Sequence, residues 1–370
     1  MHIGIPREIK DHEFRVAATP ASVAELVRDG HRVSIQSEAG AAAGFADAAY
    51  LAAGARVVAT AVEAFAADLV FKVKEPQAHE VAWLRPGQWL FSYLHLAAEP
   101  ELTRALLDRG VAALAFETVL DAAGRTPLLA PMSAIAGRLA IQAGMQALEM
   151  KNGGRGVLLS GVPGVAPGRV VILGGGVVGA NAARIAVGLG ADATLLDPGA
   201  ERLREFDEQY RGRLKTRISN PGNIEDCLRG ADLVVGAAYV HGRRAPRLLS
   251  RALLAEMPRG AALVDVAIDQ GGIAETSRAT THSDPFFVEA GIVHYCVANM
   301  PGAVARTATL ALAEATLPYL LRLAAGPHAA LAADPGFAAG LNLAAGRLTH
   351  PGLAEDIGEP AADWRPLIPT

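Results

Sequence analysis

Six residues restrict the fold of this chain more than any others. Gly174-Gly175-Gly176-Val177-Val178-Gly179 reads G-x-G-x-x-G and directly follows the β-branched and aliphatic run Val170-Val171-Ile172-Leu173. A strand that passes through such glycines into a helix is the opening of a βαβ unit. Gly174 permits the tight turn, Gly176 lets backbone approach a pyrophosphate, and Gly179 allows close helix packing. Free N–H groups at the helix start then meet the negative charge. The next apolar run, 193–196, ends in Asp197, close to the position about 20 residues on where an acid accepts from ribose hydroxyls. An acid there repels a 2′-phosphate, which favours NAD over NADP, although Arg202 and Arg204 lie near enough to soften the repulsion. A glycine-rich packing turn without ligand is the competing reading of a bare hexapeptide. The strand, the helix and Asp197 together weigh against it.

Around this unit the chain alternates. β-Branched runs at 2–5, 32–35, 56–58, 69–73, 89–94 and 111–116 are separated by apolar-periodic segments such as 21–28, 48–53 and 101–107. The first of those helices has Thr19 as N-cap, Pro20 at its first position and Gly30 just past its end. A long helix is expected over 131–150, then a second strand series at 169–173, 193–196, 233–235, 262–265 and 292–297, then another long helix over 307–323. The expected fold is α/β: two doubly wound, Rossmann-like domains joined by long helices. With 370 residues against about 150 per domain, two domains are the natural count. The expected division is 1–128 as the first segment of one domain, 129–306 as an inserted NAD-binding domain, and 307–370 as an Ala/Gly-rich return to the first.

Charge narrows the partners. Lys and Arg total 34 against 38 Asp and Glu, a net charge of −4, so no broad basic field is present to grip nucleic acid. The charged first fifteen residues leave no apolar stretch for a secretory signal, and the longest apolar stretches fall short of the ~20 residues that a bilayer demands. Cys227 and Cys296 lie far apart and form no metal or redox pattern. The expectation is a soluble, cytoplasmic protein with a small-molecule partner, no metal and no membrane.

In open α/β sheets ligands lie beyond the carboxyl ends of the strands, so polar residues just after strands are the ones that converge. Arg15 follows the first strand, Lys74 the 69–73 run and His95 the 89–94 run; in the second series Asp269 follows 262–265 and Asn299 follows 292–297. Arg15 offers a planar fork for a carboxylate and Lys74 a second positive charge. Solvated loop charges and a structural histidine are the bland alternatives, and Asp265 and Asp269 could equally cap turns. Met132-Ser133 either presents a hydroxyl to the cofactor or forms a capping pair, while the glycine clusters at 153–156 and 161–164 read as loops.

In order along almost the whole chain stand Ile5-Pro6-Arg7-Glu8-Ile9-Lys10, Glu13-Phe14-Arg15-Val16, Lys72-Val73-Lys74-Glu75-Pro76, Leu94-His95-Leu96 and Leu129-Ala130-Pro131-Met132-Ser133. They are followed by Gly154-Arg155-Gly156-Val157-Leu158, Asp265-Val266-Ala267-Ile268-Asp269-Gln270-Gly271-Gly272 and Tyr295-Cys296-Val297-Ala298-Asn299-Met300-Pro301. With these segments the chain resembles the alanine dehydrogenases, a group shared with the NAD-binding subunit of proton-pumping transhydrogenase. The resemblance implies reversible oxidative deamination of L-alanine by NAD to pyruvate, ammonium and NADH. It implies that Arg15 and Lys74 bind substrate, that His95 and Asp269 are acid/base groups, and that the assembly is a homo-oligomer, typically a hexamer. It also carries NAD contacts onto Ser133, Val177, Val178, Asp197, Arg202, Ser219, Asn299 and the Val266, Ala267, Ile268 and Asp269 loop.

Three competing functions remain to be weighed. A transhydrogenase module is disfavoured because 120–128 is short and lacks the Arg- and Gln-bearing loop of such modules. A lysine-pathway oxidoreductase would need more room near Lys74, and a regulator without turnover would not keep Arg15, Lys74, His95 and Asp269 together. Gly175 stands where the family more usually has alanine. Tyr239 and His241 fall beside the expected nicotinamide side, with no role assigned to them.

Overall fold

The computed structural model describes residues 1–238 and 245–369, and the chain divides into two compact units, 1–132 with 302–370 and 133–301. Tyr239 and His241 lie outside the described residues.

The first unit opens with six strands, β1 (His2–Ile5), β2 (Arg32–Gln36), β3 (Arg56–Val58), β4 (Leu69–Phe71), β5 (Trp89–Ser92) and β6 (Ala112–Ala115), all parallel where they pair. Thr19 caps the first crossover helix, Pro20–Arg28, its hydroxyl accepting from Ser22 N at 3.2 Å, with Pro20 at the position where a missing N–H costs nothing. Leu69–Phe71 and Trp89–Ser92 are buried throughout, as expected for strands covered on both faces.

The second unit holds β7 (Arg169–Leu173), β8 (Asp192–Asp197), β9 (Lys215–Ile218), β10 (Leu233–Gly236), β11 (Ala262–Asp265), β12 (Phe286–Glu289) and β13 (Ile292–Tyr295), in the order β12-β13-β11-β10-β7-β8-β9. The chain enters this unit through the helix Ala130–Ala147. Gly137 and Gly144 set how closely that helix packs. A Cβ on Gly137 would stand 2.1 Å from Val178 O, and one on Gly144 2.4 Å from a Leu233 methyl. The helix stops before the expected 150, the chain turning through a short 3-10 segment, Met150–Asn152, into Gly153 with φ +84°.

After the helix Ala305–Ala325 the chain adds β14 (Leu341–Ala344) and β15 (Arg347–Leu348) to the first sheet, completing the order β15-β14-β6-β5-β4-β1-β2-β3. The return joins antiparallel, Leu341 opposite Leu114 and Leu343 opposite Ala113, and β12 likewise pairs antiparallel with β13. Both sheets are therefore mixed, with antiparallel pairing at an edge of the doubly wound arrangement. Antiparallel edge strands need no helical crossover and so leave no βα alternation to read. Among the described residues no helix is long and apolar enough to cross a membrane.

Candidate active site

In the first sheet the chain runs outward from β1 through β2 to β3, then returns to β4 on the other side of β1 and runs outward again to β6. The order therefore reverses between β1 and β4, and loops leaving their carboxyl ends diverge to open a crevice. Arg15 follows β1, Lys74 follows β4 and His95 follows β5, so the structure brings all three to the same end of one sheet.

The loops are tied together by buried charge. Lys72 Nζ lies 3.0 Å from Glu80 Oε1 and 3.4 Å from Glu8 Oε2, and Val73 N donates to Glu8 Oε1 at 2.7 Å. One ammonium serves two carboxylates here. Burial pushes Glu8 up to about 7, against the pull of Lys72. Next along, Lys10 pairs with Glu75. Burial would raise Glu75, but Lys74 and Lys10 outweigh it and hold that carboxyl below its ordinary range.

Arg15 is only 2% exposed, which rules out a solvated loop charge. Its Nε donates to Glu13 Oε1 at 2.7 Å and its Nη2 to Glu13 Oε2 at 2.5 Å, while Nη1 lies 3.1 Å from Met132 Sδ. The edge of the fork that the sequence reading offered to a substrate carboxylate is therefore occupied by Glu13. The Met132 thioether against Nη1 is a weak acceptor. Burial would lower the guanidinium pKa, but the Glu13 pairing more than offsets it. Lys74 is 9% exposed, and among the described residues its Nζ has no hydrogen-bond or ion-pair partner. A buried ammonium without an acceptor is costly, and such groups mark sites where a ligand supplies the missing anion.

His95 adopts the left-handed region, φ +50°, with its ring parallel to that of Tyr93 at 6.1 Å. Tyr93 is itself fixed by a 2.6 Å hydrogen bond from its hydroxyl to Leu128 O. The carboxylate of Glu117, just past β6, lies beside His95. The sequence reading passes over Glu13, Glu8, Lys72, Tyr93 and Glu117. The strand-end rule that selected His95, applied to β6, would have found Glu117.

The second unit has its own reversal, between β7 and β10, and the glycine turn sits at the end of β7. Gly174 has φ +107°, and a Cβ there would meet Ala237 O at 2.7 Å; a Cβ on Gly179 would meet Gly174 O at 1.8 Å. Both glycines are required by the protein's own backbone. Gly176 differs: it caps the helix Val177–Gly188, and a Cβ there would enter space with nothing within 4 Å. That open position, with the first-turn N–H groups of Val177 and Val178 beside it, is a cradle for an anionic group and fits a dinucleotide pyrophosphate.

Asp197 Oδ2 accepts from Gly175 N at 2.7 Å and Oδ1 from Gly199 N at 2.8 Å, which fixes the carboxylate and leaves lone pairs for two further donors. Ser219 N donates to Asp197 O at 3.0 Å, bringing that residue to the same corner. Arg202 is braced on the turn: its Nε donates to Gly175 O at 2.7 Å, its guanidinium lies 4.5 Å over the Phe206 ring, and it pairs with Glu205. Arg204 pairs with Glu201 on the helix surface.

Asp265 is the turn-capping residue of the two acids considered. Wholly buried, and raised by that burial, it accepts from Ala267 N at 3.1 Å, Ile273 N at 2.7 Å and Ser277 Oγ at 2.5 Å. These bonds shape the Val266–Gln270 turn, which carries Val266, Ala267 and Ile268 and exposes Asp269. Gln270 Oε1 on the same turn is buried with no hydrogen-bond partner among the described residues. Asn299 has φ +63°, its carbonyl accepting from His282 Nε2 at 3.1 Å, and Ser133 lies in the first turns of the helix Ala130–Ala147.

Residues 4–136 match the family described as alanine dehydrogenase/PNT, N-terminal domain, and residues 140–351 match its C-terminal domain. The chain belongs to the alanine dehydrogenase/PNT family. It is 55% identical to an alanine dehydrogenase of Halomonas elongata over 360 residues, covering 97% of each chain. It is 52% identical to one of Bacillus subtilis over 361 residues, covering 97% of this chain and 95% of that one. A solved L-alanine dehydrogenase superposes with a TM-score of 0.93 at 50% identity, covering 97% of this chain and 99% of the other. Family membership thus spans both units.

Proposed function

We propose that this chain catalyses the reversible oxidative deamination of L-alanine, with NAD as acceptor, to pyruvate, ammonium and NADH. The observation that carries the reading is Lys74, a buried cation without an acceptor, at the same sheet end as Arg15 and His95. Together they form a site for a small carboxylate next to a titratable group. A regulator without turnover has no use for that combination. NAD over NADP is supported by the Asp197 carboxylate, fixed by Gly175 N and Gly199 N, whose charge repels a 2′-phosphate.

In this reading Arg15 and Lys74 hold the substrate carboxylate, and Ser133, Gly174, Gly176, Val177, Val178, Gly179, Asp197, Arg202, Ser219, Asn299 and the Val266, Ala267, Ile268 and Asp269 turn hold the dinucleotide. The nicotinamide, when bound, supplies the electron sink for a hydride. Hydride leaves Cα only when nitrogen can donate its lone pair, so the substrate ammonium first gives up a proton. Water then adds to the iminium, and the carbinolamine needs one proton taken from oxygen and one delivered to nitrogen. His95 is the shuttle for both, and Asp269 is the second acid/base group, orienting the water or assisting that transfer. The segments 1–128 and 307–370 serve as the substrate domain and 129–306 as the NAD domain, in a cytoplasmic homohexamer.

NADH formation by purified protein over a panel of amino acids, with NAD and NADP compared, tests the reading. L-alanine with NAD is expected to give the highest kcat/KM. Equal rates with long-chain amino acids would overturn the substrate assignment, and a preference for NADP would overturn the role of Asp197. Light scattering that found a monomer would remove the hexamer.

A further inference from the structure

The geometry points to Glu117 as the positioning residue of His95, an inference that rests on the acid/base reading of His95 above. Glu117 Oε1 accepts from His95 N at 2.6 Å and from Leu94 N at 3.2 Å, and the same oxygen lies 4.0 Å from His95 Nδ1. Two consequences follow from one carboxylate. The converging N–H donors hold His95 at φ +50°, a region that is strained for an L-residue and does not persist unaided. The negative charge beside Nδ1 selects the tautomer that carries its proton there, which leaves the Nε2 lone pair for substrate. With Tyr93 parallel to the ring, the imidazole is set in orientation as well as in tautomer.

The division of labour is explicit. His95 Nε2 takes the proton from the carbinolamine oxygen and returns one to nitrogen, while Glu117 keeps its charge throughout and transfers nothing. Structural capping of the 3-10 turn Leu96–Ala98 is the competing account of the same contacts. The two accounts separate in Glu117→Gln, whose amide oxygen still accepts from both N–H groups but carries no charge.

The test measures Glu117→Gln, Glu117→Asp, His95→Ala and the Glu117→Gln/His95→Ala pair. Glu117→Gln is expected to lower kcat on the order of 100-fold, within the span of a general acid–base group, with NADH affinity and pyruvate KM little changed. Glu117→Asp, which keeps the charge, recovers most of that loss. In the His95→Ala background the glutamine change costs nothing further, because the two residues act as a unit. Wild-type turnover in Glu117→Gln with an inactive His95→Ala reduces Glu117 to a cap and overturns the inference. A Glu117→Gln loss that persists undiminished in the His95→Ala background overturns it as well. Full turnover in His95→Ala is a different failure, that of the acid/base reading itself. Should the glutamine variant not fold, Glu117→Asp decides in the same two backgrounds: a loss equal in both overturns the inference, and a loss that vanishes with His95 supports it.

Discussion

Glu13 and Arg15, two residues apart, form a fork-to-fork ion pair sealed from solvent, with both side chains at 2% exposure or less. A pair of this kind contributes little net stability over a well-packed apolar pair, yet breaking it costs a buried charge its bidentate partner.

Glu13→Ala is therefore expected to destabilise the protein by about 3–5 kcal/mol in urea unfolding, as removal of one partner of a buried pair does. The double change Glu13→Leu/Arg15→Met should recover more than half of that loss while pyruvate KM rises by at least roughly tenfold. Additive losses in the double variant would show that the cost of Glu13→Ala does not come from breaking the ion pair.

Lys74→Met keeps the volume of the side chain and removes its charge. Pyruvate KM should rise by at least roughly tenfold, while the Glu75 carboxyl, relieved of the Lys74 charge that helps hold it below its ordinary range, moves upward. An unchanged pyruvate KM would remove Lys74 from the substrate site.

The glycine turn gives a paired prediction. Gly179→Ala forces a methyl to 1.8 Å from Gly174 O and is expected to lower the melting temperature and abolish NADH binding together. Gly176→Ala meets no protein atom, so it should fold normally and weaken only NADH, as read by fluorescence titration. Unchanged NADH affinity in Gly176→Ala would remove the cradle from the binding site.

Glu8 predicts a pH dependence. Its carboxyl, raised from 4.5 to about 7, keeps a proton in the folded state that the unfolded chain gives up. The stability it contributes is complete below pH 4.5 and is lost as pH rises to about 7. Glu8→Gln keeps a neutral acceptor for Val73 N, so the variant should gain on the wild type by a few kcal/mol across that window and run parallel above it. Urea unfolding at several pH values reads this directly, and parallel curves throughout would discard it.

Much of the second unit was legible because its requirements are local. Gly174, Gly176 and Gly179 answer to backbone geometry within one turn, and Asp197 stands at the end of the adjacent strand, so spacing alone locates them. Arg15, Lys74 and His95 were found by their place after strands. Their partners were not: Glu13 reads as one charge in a charged loop, and the link from Glu117 to His95 spans two neighbouring strands whose pairing no local pattern records. Leu341–Ala344 shows the same limit in the fold. Leu-Asn-Leu-Ala carries no β-branched residue, and it becomes a strand because β6 offers an open edge.

That late pairing has a consequence for how the protein is made. Leu341 and Leu343 lie opposite Leu114 and Ala113, separated from them by the entire second unit. During synthesis the 133–301 unit has all its strands in hand first, whereas the first sheet waits with β6 unprotected until β14 emerges. A ribosome-bound chain halted before Leu341 should hold one finished domain and one that is still open to chaperones.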